Sequence, residues 1–358
     1  MVYHKLQGIK MLDKKIRVLI VDDSAVIRNI LSANLSKFSD IEVIGTSSEP
    51  YKARDMILQL NPDVITLDIE MPRMDGLEFT KVLMKHHPIP IVIISALIEG
   101  KCETSFQALE AGAVEIFPKP SSDISRELPK MMNRLADKIR AASKSKPRRI
   151  TGAASKIISA SALIKTTDKV IAIGASTGGT EAIRRVLQGF PHNTPGIAIV
   201  QHMPVLFTKA FADRLNSVCP NFDVKEAEDG ESLITGKALI SPGDKHMLLK
   251  RSGARYYVRV KEGPQVCGHC PSVEVLFNSF ANVAGRNGMG IILTGMGRDG
   301  ANGLLKMRNA GAKTIVQDEK SSVVFGMPKE ALEIGAADKG VELRKIANTA
   351  VSLLAKSR

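Results

Sequence analysis

At 358 residues the chain is longer than one hydrophobic core usually supports, so two domains are expected. It is 44% hydrophobic and 24% charged with no Trp, which excludes a disordered or fibrous chain. The net charge of +13 is mostly local: Lys138 to Lys169 holds nine Lys/Arg against one acid, Asp168, with no aromatic to stack on bases, so no nucleic-acid partner is expected.

Four cysteines in a chain this long make no disulfide framework, and no apolar run is long enough to cross a bilayer, so a reducing cytoplasm without membrane insertion is expected. Residues 1–13 form an N-terminal extension, with Met11 as a candidate alternative start. Residues 16–21 are a buried-strand run ending at Asp22-Asp23-Ser24, and Val26, Ile27, Ile30, Leu31 and Leu35 follow at helical spacing. Residues 41–44 form the next strand, then a helix runs through Ala53, Met56 and Ile57. Strand 64–67 ends at Asp68, strand 91–94 at Ser95, and strand 114–117 just before Lys119-Pro120. Five strands alternating with helices predict a doubly wound parallel α/β sheet over residues 14–142, closed by a helix from about Ile124 to Ala142. Residues 143–168, rich in Ser, Lys and Ala, predict a flexible basic linker.

The rhythm restarts over residues 169–358. Strand 170–173, helix 180–188 and strand 196–200 lead to a less regular region with β structure near 256–260. A helix near 273–284, strand 290–294, helix 302–310 and strand 314–317 complete a second parallel α/β unit. No sequence repeat links the halves.

In open α/β sheets, functional groups gather beyond the carboxyl ends of the strands. Asp22, Asp23, Asp68, Ser95 and Lys119 all fall there. Three crowded carboxylates need a cation, and oxygen-only donors suit Mg²⁺. With Lys119, that charge would neutralise a phosphoryl group arriving on a carboxylate nucleophile. A lone Asp at a strand end is ordinarily a helix cap, but five such groups at matching ends favour a phosphate-accepting site. Asp22-Asp23, Leu67-Asp68-Ile-Glu70-Met71-Pro72-Arg-Met-Asp75-Gly76 and Lys119-Pro120 resemble the motifs of response-regulator receiver domains. The resemblance implies Asp68 as phosphoacceptor and Mg²⁺ at Asp22, Asp23 and Asp68, with Glu70 adding its backbone carbonyl. It also implies Ser95 as the hydroxyl that follows the phosphate and Lys119 as counter-charge. Ile116 stands where many members carry a reorienting aromatic, so the signal is expected to leave by another surface.

Gly174-Ala-Ser176-Thr-Gly178 follows a strand and opens a helix, the context of a nucleophile elbow. A phosphate-binding loop or a plain tight turn fits the same residues. His202 follows strand 196–200 and Asp299 follows strand 290–294, so serine, imidazole and carboxylate share one sheet edge. Asp318 is the rival acid, and His246 and His269 are rival bases. Cys267-Gly-His269-Cys270 lacks a second ligand pair, so reduced, metal-free thiols are expected.

This half is similar to the catalytic domain of the bacterial chemotaxis protein-glutamate methylesterases, the CheB family. The resemblance rests on Ile173-Gly-Ala-Ser-Thr-Gly-Gly179, Gln201-His-Met203, Leu239-Ile-Ser-Pro-Gly243, Pro271-Ser-Val-Glu-Val-Leu-Phe277, Thr294-Gly-Met-Gly-Arg-Asp-Gly300 and Gln317-Asp-Glu319. It implies Ser176 as nucleophile, His202 as general base and Asp299 as its orienter. The Met296 backbone N–H would serve the oxyanion hole, Thr177 would support it, and no cofactor is expected in this domain. The implied activity is phosphorylation-activated removal of methyl groups from glutamate esters on methyl-accepting chemotaxis receptors, with deamidation of receptor glutamines. A chemotaxis histidine kinase would be the phosphodonor, and a monomer recruited to receptor arrays is expected. The receiver is expected to pack over the Ser176 edge until phosphorylated, and Met203, Phe207 and Pro271-Ser272 to line the substrate groove. The alternative is a receiver-controlled scaffold with a catalytically inactive hydrolase-like domain.

Overall fold

Apolar runs without alternation form strands buried on both faces, as parallel sheets between helical layers require. The computed structural model describes residues 14–96, 102–120, 128–145 and 168–356. The expected extension over 1–13 and most of the expected linker lie outside them. The first unit alternates β1 (Ile16–Val21), α1 (Ala25–Leu35), β2 (Ile41–Ser47), α2 (Pro50–Leu60) and β3 (Val64–Asp68) with α3 (Gly76–His86), β4 (Ile91–Ser95), α4 (Cys102–Glu110), β5 (Glu115–Pro118) and α5 (Leu128–Ser143). Its sheet is parallel with order β2-β1-β3-β4-β5. All five expected strands form. Gly76 shows why the motif after Asp68 needs a glycine: a Cβ there would lie 2.2 Å from the Asp68 carbonyl oxygen. Asp75 caps α3 by accepting from the Glu78 N–H at 2.7 Å.

The second unit comprises β6 (Val170–Ala175), α6 (Gly179–Gly189), β7 (Gly196–Gln201), α7 (Phe207–Val218), β8 (Asp223–Glu226) and β9 (Lys237–Ile240). An antiparallel hairpin, β10 (His246–Ser252) and β11 (Arg255–Lys261), precedes α8 (Val273–Val283) and β12 (Gly288–Ile292). Then come α9 (Ala301–Asn309), β13 (Lys313–Gln317), α10 (Met327–Glu333), β14 (Gly340–Val341) and α11 (Leu343–Lys356). Seven strands form a parallel sheet in the order β14-β13-β12-β6-β7-β9-β8. The chain starts at central β6, builds one side through β7 to β9, then crosses to β12 on the other. That reversal opens a crevice beyond the carboxyl end of β6.

The two units touch through α4 and α7. The Phe106 ring stacks on Phe211 at 5.7 Å and meets Phe207 edge-on at 6.3 Å. Arg214 brackets this contact, donating to Glu103 at 2.7 Å and to both oxygens of Glu110 at 2.9 and 3.0 Å. One apolar cluster runs from Phe79 and Leu83 through Phe106 to Phe207 and Phe211.

Candidate active site

The first unit gathers its expected groups at one sheet edge. Carboxylate oxygens of Asp22, Asp23 and Asp68 lie within 4.8 Å of one another. Lys119 Nζ donates to Asp68 Oδ2 at 2.6 Å and sits 3.4 Å from Asp22 Oδ2, which is buried and accepts no hydrogen bond. Burial pushes the Asp68 pKa up to about 6, partly offset by Lys119, and raises that of Asp22 as well. Burial would lower the Lys119 pKa, but Asp68 and Asp22 outweigh it and raise it. Crowded oxygens and an orphaned buried carboxylate oxygen fit a divalent cation such as Mg²⁺. The Glu70 side chain stands outside this cluster, while its backbone N–H donates to Asp68 Oδ1 at 3.1 Å. Ser95 Oγ, at the end of β4, accepts from Ser105 Oγ on α4 at 2.9 Å. Ile116 is buried in β5.

In the second unit, sheet register brings the expected triad to one edge. Ala175 pairs with Gln201, so Ser176 and His202 each stand one residue past paired positions. The His202 N–H donates to the Ala175 carbonyl at 3.1 Å, and the Ser176 N–H to the Thr294 carbonyl at 3.0 Å. Gly178, with φ of 76°, makes the sharp turn into α6 that an elbow needs. Gln201 Nε2 holds the Ser176 carbonyl at 2.9 Å, and Thr294 Oγ1 holds that of Thr177 at 3.0 Å. The Met296 and Thr177 backbone N–H groups have no carbonyl partner among the described residues.

His202 Nε2 pairs with Asp299 Oδ2 at 2.8 Å, and both side chains are buried. Its other nitrogen, Nδ1, is buried and unpartnered. With the proton on Nε2, Nδ1 is left as a lone acceptor. Asp299 also accepts from Ser272 Oγ at 2.8 Å, the Val273 N–H at 2.7 Å and the Glu274 N–H at 3.0 Å. Burial alone would raise the Asp299 pKa, but the His202, Ser272 and Glu274 bonds prevail and hold it below the usual range. Hydrogen bonds to a charged group contribute about 1.5–3 kcal/mol each, enough to keep a buried carboxylate ionised.

Two of the rivals are engaged elsewhere, and the third, His269, lies against the site without joining the Asp299 pair. Asp318 accepts from the Ser321 N–H at 3.0 Å. His246 is spent on the Pro264 carbonyl and the Ser272 N–H. His269 lies flat on His202, with ring centroids 3.7 Å apart and planes 13° apart. Cys267 and Cys270 are free thiols. Two groove residues need correction. Phe207 is wholly buried in the contact between the units, because the chain enters α7 with Val205 and Leu206 outward instead. Ser272 is also wholly buried, turned inward to cap α8 and bind Asp299. Its place just before a hydrophobic helical run signalled the cap, while nothing local signalled Asp299, 27 residues away.

Residues 171–350 match the CheB methylesterase family model, and residues 18–132 match the response regulator receiver domain model. The chain is 53% identical over 344 residues to protein-glutamate methylesterase/protein-glutamine glutaminase 2 of Syntrophus aciditrophicus, spanning 95% of this chain and 99% of that protein. It is 52% identical over 353 residues to the protein of the same description from Rhodospirillum rubrum, spanning 93% and 97%. Among solved structures, the CheB methylesterase catalytic domain of Thermotoga maritima is similar at 37% identity and a TM-score of 0.50, over 52% of this chain and 98% of that one.

Proposed function

The chain belongs to the CheB methylesterase family, and we propose that it is a phosphorylation-activated hydrolase of glutamate methyl esters on chemotaxis receptors that also deamidates receptor glutamines. The His202–Asp299 pair carries this reading: its Nε2 bond at 2.8 Å leaves Nδ1 buried and unpartnered at the strand end beside Ser176. Nδ1 takes the Ser176 proton as Oγ attacks the ester carbonyl, and Asp299 steadies the imidazolium that forms. Oxyanion charge develops toward two backbone N–H groups, that of Thr177 at the α6 N-terminus and that of Met296 in the loop after β12. The same imidazole returns the proton to the departing methanol. Water, deprotonated by His202, then attacks the acyl-serine and frees the glutamate. For a glutamine the leaving group is ammonia, so the acid step bears more of the barrier.

In the receiver, Asp68 accepts the phosphoryl group from a histidine kinase. Asp22, Asp23, Asp68 and the Glu70 carbonyl would hold Mg²⁺, which when bound supplies charge that offsets the phosphoryl oxygens. Lys119 adds a fixed cation, and Ser95 turns toward the new group. That turn withdraws the acceptor Ser105 uses on α4, the helix whose Phe106, Glu103 and Glu110 hold the catalytic domain. On the other side, Val323 packs against the receiver cluster that includes Met132 and Leu135, and a Cβ on Gly178 would meet Val323 at 2.5 Å. The receiver therefore sits beside the nucleophile loop, where it keeps out a receptor helix until released. The enzyme acts as a cytoplasmic monomer at receptor arrays.

Methanol release from methylated receptor membranes tests the reading. Ser176→Ala should abolish it, and Asp68→Asn should remove its stimulation by a small phosphodonor while leaving basal turnover. Ester hydrolysis surviving Ser176→Ala would instead support an inactive scaffold with another enzyme responsible.

A further inference from the structure

Among the groups around the triad, one imidazole has no part in the reaction just described. His269 covers a face of His202 with ring centroids 3.7 Å apart and only 13° between planes. We propose that His269 is a positioning residue: stacked on His202, it holds the catalytic ring in the one plane that gives Nε2 to Asp299 and leaves Nδ1 free to take the Ser176 proton. The proposal rests on the Ser176–His202–Asp299 assignment.

The need follows from the geometry. The torsion that turns an imidazole about its Cβ–Cγ bond is soft, with broad wells. The Asp299 bond at 2.8 Å fixes one edge of the His202 ring but lets it pivot about that contact. A flat partner removes the pivot.

His269 is itself held stiffly. Val266 and His269 exchange two backbone hydrogen bonds of 3.0 Å, closing a two-residue turn at Cys267 and Gly268. Their φ values of 53° and 82° are those of a primed hairpin turn. Three residues beyond, Ser272, Val273 and Glu274 supply donors to Asp299. One short segment thus positions both the catalytic base and its acid: it gives a ring face to His202 and three donors to Asp299.

His269 does not compete as a base. Burial, then the neighbouring His202, push its pKa down to about 3; Asp299 opposes this, and Lys138 and Arg134 of α5 reinforce it. A neutral ring therefore lies over His202 during turnover, and no like-charge penalty opposes the imidazolium that forms.

The test compares His269→Ala, His269→Leu and His269→Phe in the full chain activated by a small phosphodonor, measuring methanol release from methylated receptor membranes. Loss of the stacked wall should lower kcat about 10- to 100-fold in the Ala and Leu variants with KM changed less than about twofold. Phe, flat but unable to carry a proton, should restore most of that loss. The ¹H NMR signal of the His202–Asp299 N–H should broaden or vanish in Ala and Leu and return in Phe, a readout that space-filling alone would not move. A Leu variant as active as the parent would overturn the proposal, as would a Phe variant as impaired as Ala. His202→Ala runs beside them: retained turnover there would sink the triad, whereas its loss with unaffected His269 variants would sink only the positioning role.

Discussion

Replacing Arg214 with Ala should switch the enzyme partly on without phosphorylation. Arg214 lies on α7 and donates to Glu103 and Glu110 of α4, so it ties the catalytic domain to the receiver. Its side chain is 23% exposed, against 33% for Glu110 and 46% for Glu103, so solvent screens the pairs in part. Fully exposed pairs contribute about 0.2–1 kcal/mol, while the paired contact to both Glu110 oxygens in a half-buried setting contributes more. A loss of about 1–2 kcal/mol is expected, which shifts the docked-to-released equilibrium about 5- to 30-fold toward release. Basal methanol release should rise by that factor, and the fully phosphorylated rate should stay put because release is then already complete. Salt should imitate the variant: raising ionic strength should lift the basal rate of the parent more than that of Arg214→Ala. A basal rate unchanged within twofold at low salt would refute the tether, as would an equal fall in basal and phosphorylated rates.

Ser272→Ala removes the 2.8 Å bond to Asp299 and the cap of α8, so it should cost about 1.5–3 kcal/mol in urea unfolding and lower kcat with KM nearly constant; an unchanged kcat would contradict its role. Acid stability should carry the mark of Asp299, whose folded pKa is depressed: its contribution is present above the unfolded value of about 3.9 and is lost as pH falls through the lower folded value. The stability gap between the parent and Asp299→Asn should therefore be constant from neutrality to about pH 4 and narrow below it, whereas a gap independent of pH would show that the carboxylate is not preferentially ionised in the fold.

Much of this architecture is written locally. Buried parallel strands leave continuous apolar runs, and residues such as Asp22, Asp68, Ser176 and His202 announce themselves by ending those runs. The expected strands of both sheets formed for that reason. Some of the elements that were not anticipated carry weaker local signals. Strands β8 and β9 are four residues each, and β14 is two, too short for periodicity to register. Helix α11 has a clear apolar stripe at Ile346, Ala347, Ala350 and Val351, but the helix it packs on most, α6, lies far back in the chain.

The site divides along the same line. Ser176 and His202 follow strands that are neighbours in both sequence and sheet, so their convergence could be anticipated. Asp299 follows β12, which reaches β6 only because the chain crosses the sheet after β9, and three acids or bases had competed for its role and that of His202. What separated them was contact, not pattern: Asp318 is occupied by its own loop, and His246 by Pro264 and Ser272. The shell around the triad was the least legible part. Ser272 looks in sequence like a helix cap and is one, yet the same hydroxyl also donates to a carboxylate 27 residues on. A side chain that serves a local and a distant partner shows only the local one to sequence reasoning, because hydrogen-bond donors carry no mark of how far along the chain their acceptor lies. Phe207 misled for the converse reason: an aromatic soon after His202 suggests a groove, but it lies in an apolar cluster that its own domain shares with Phe106 of the other.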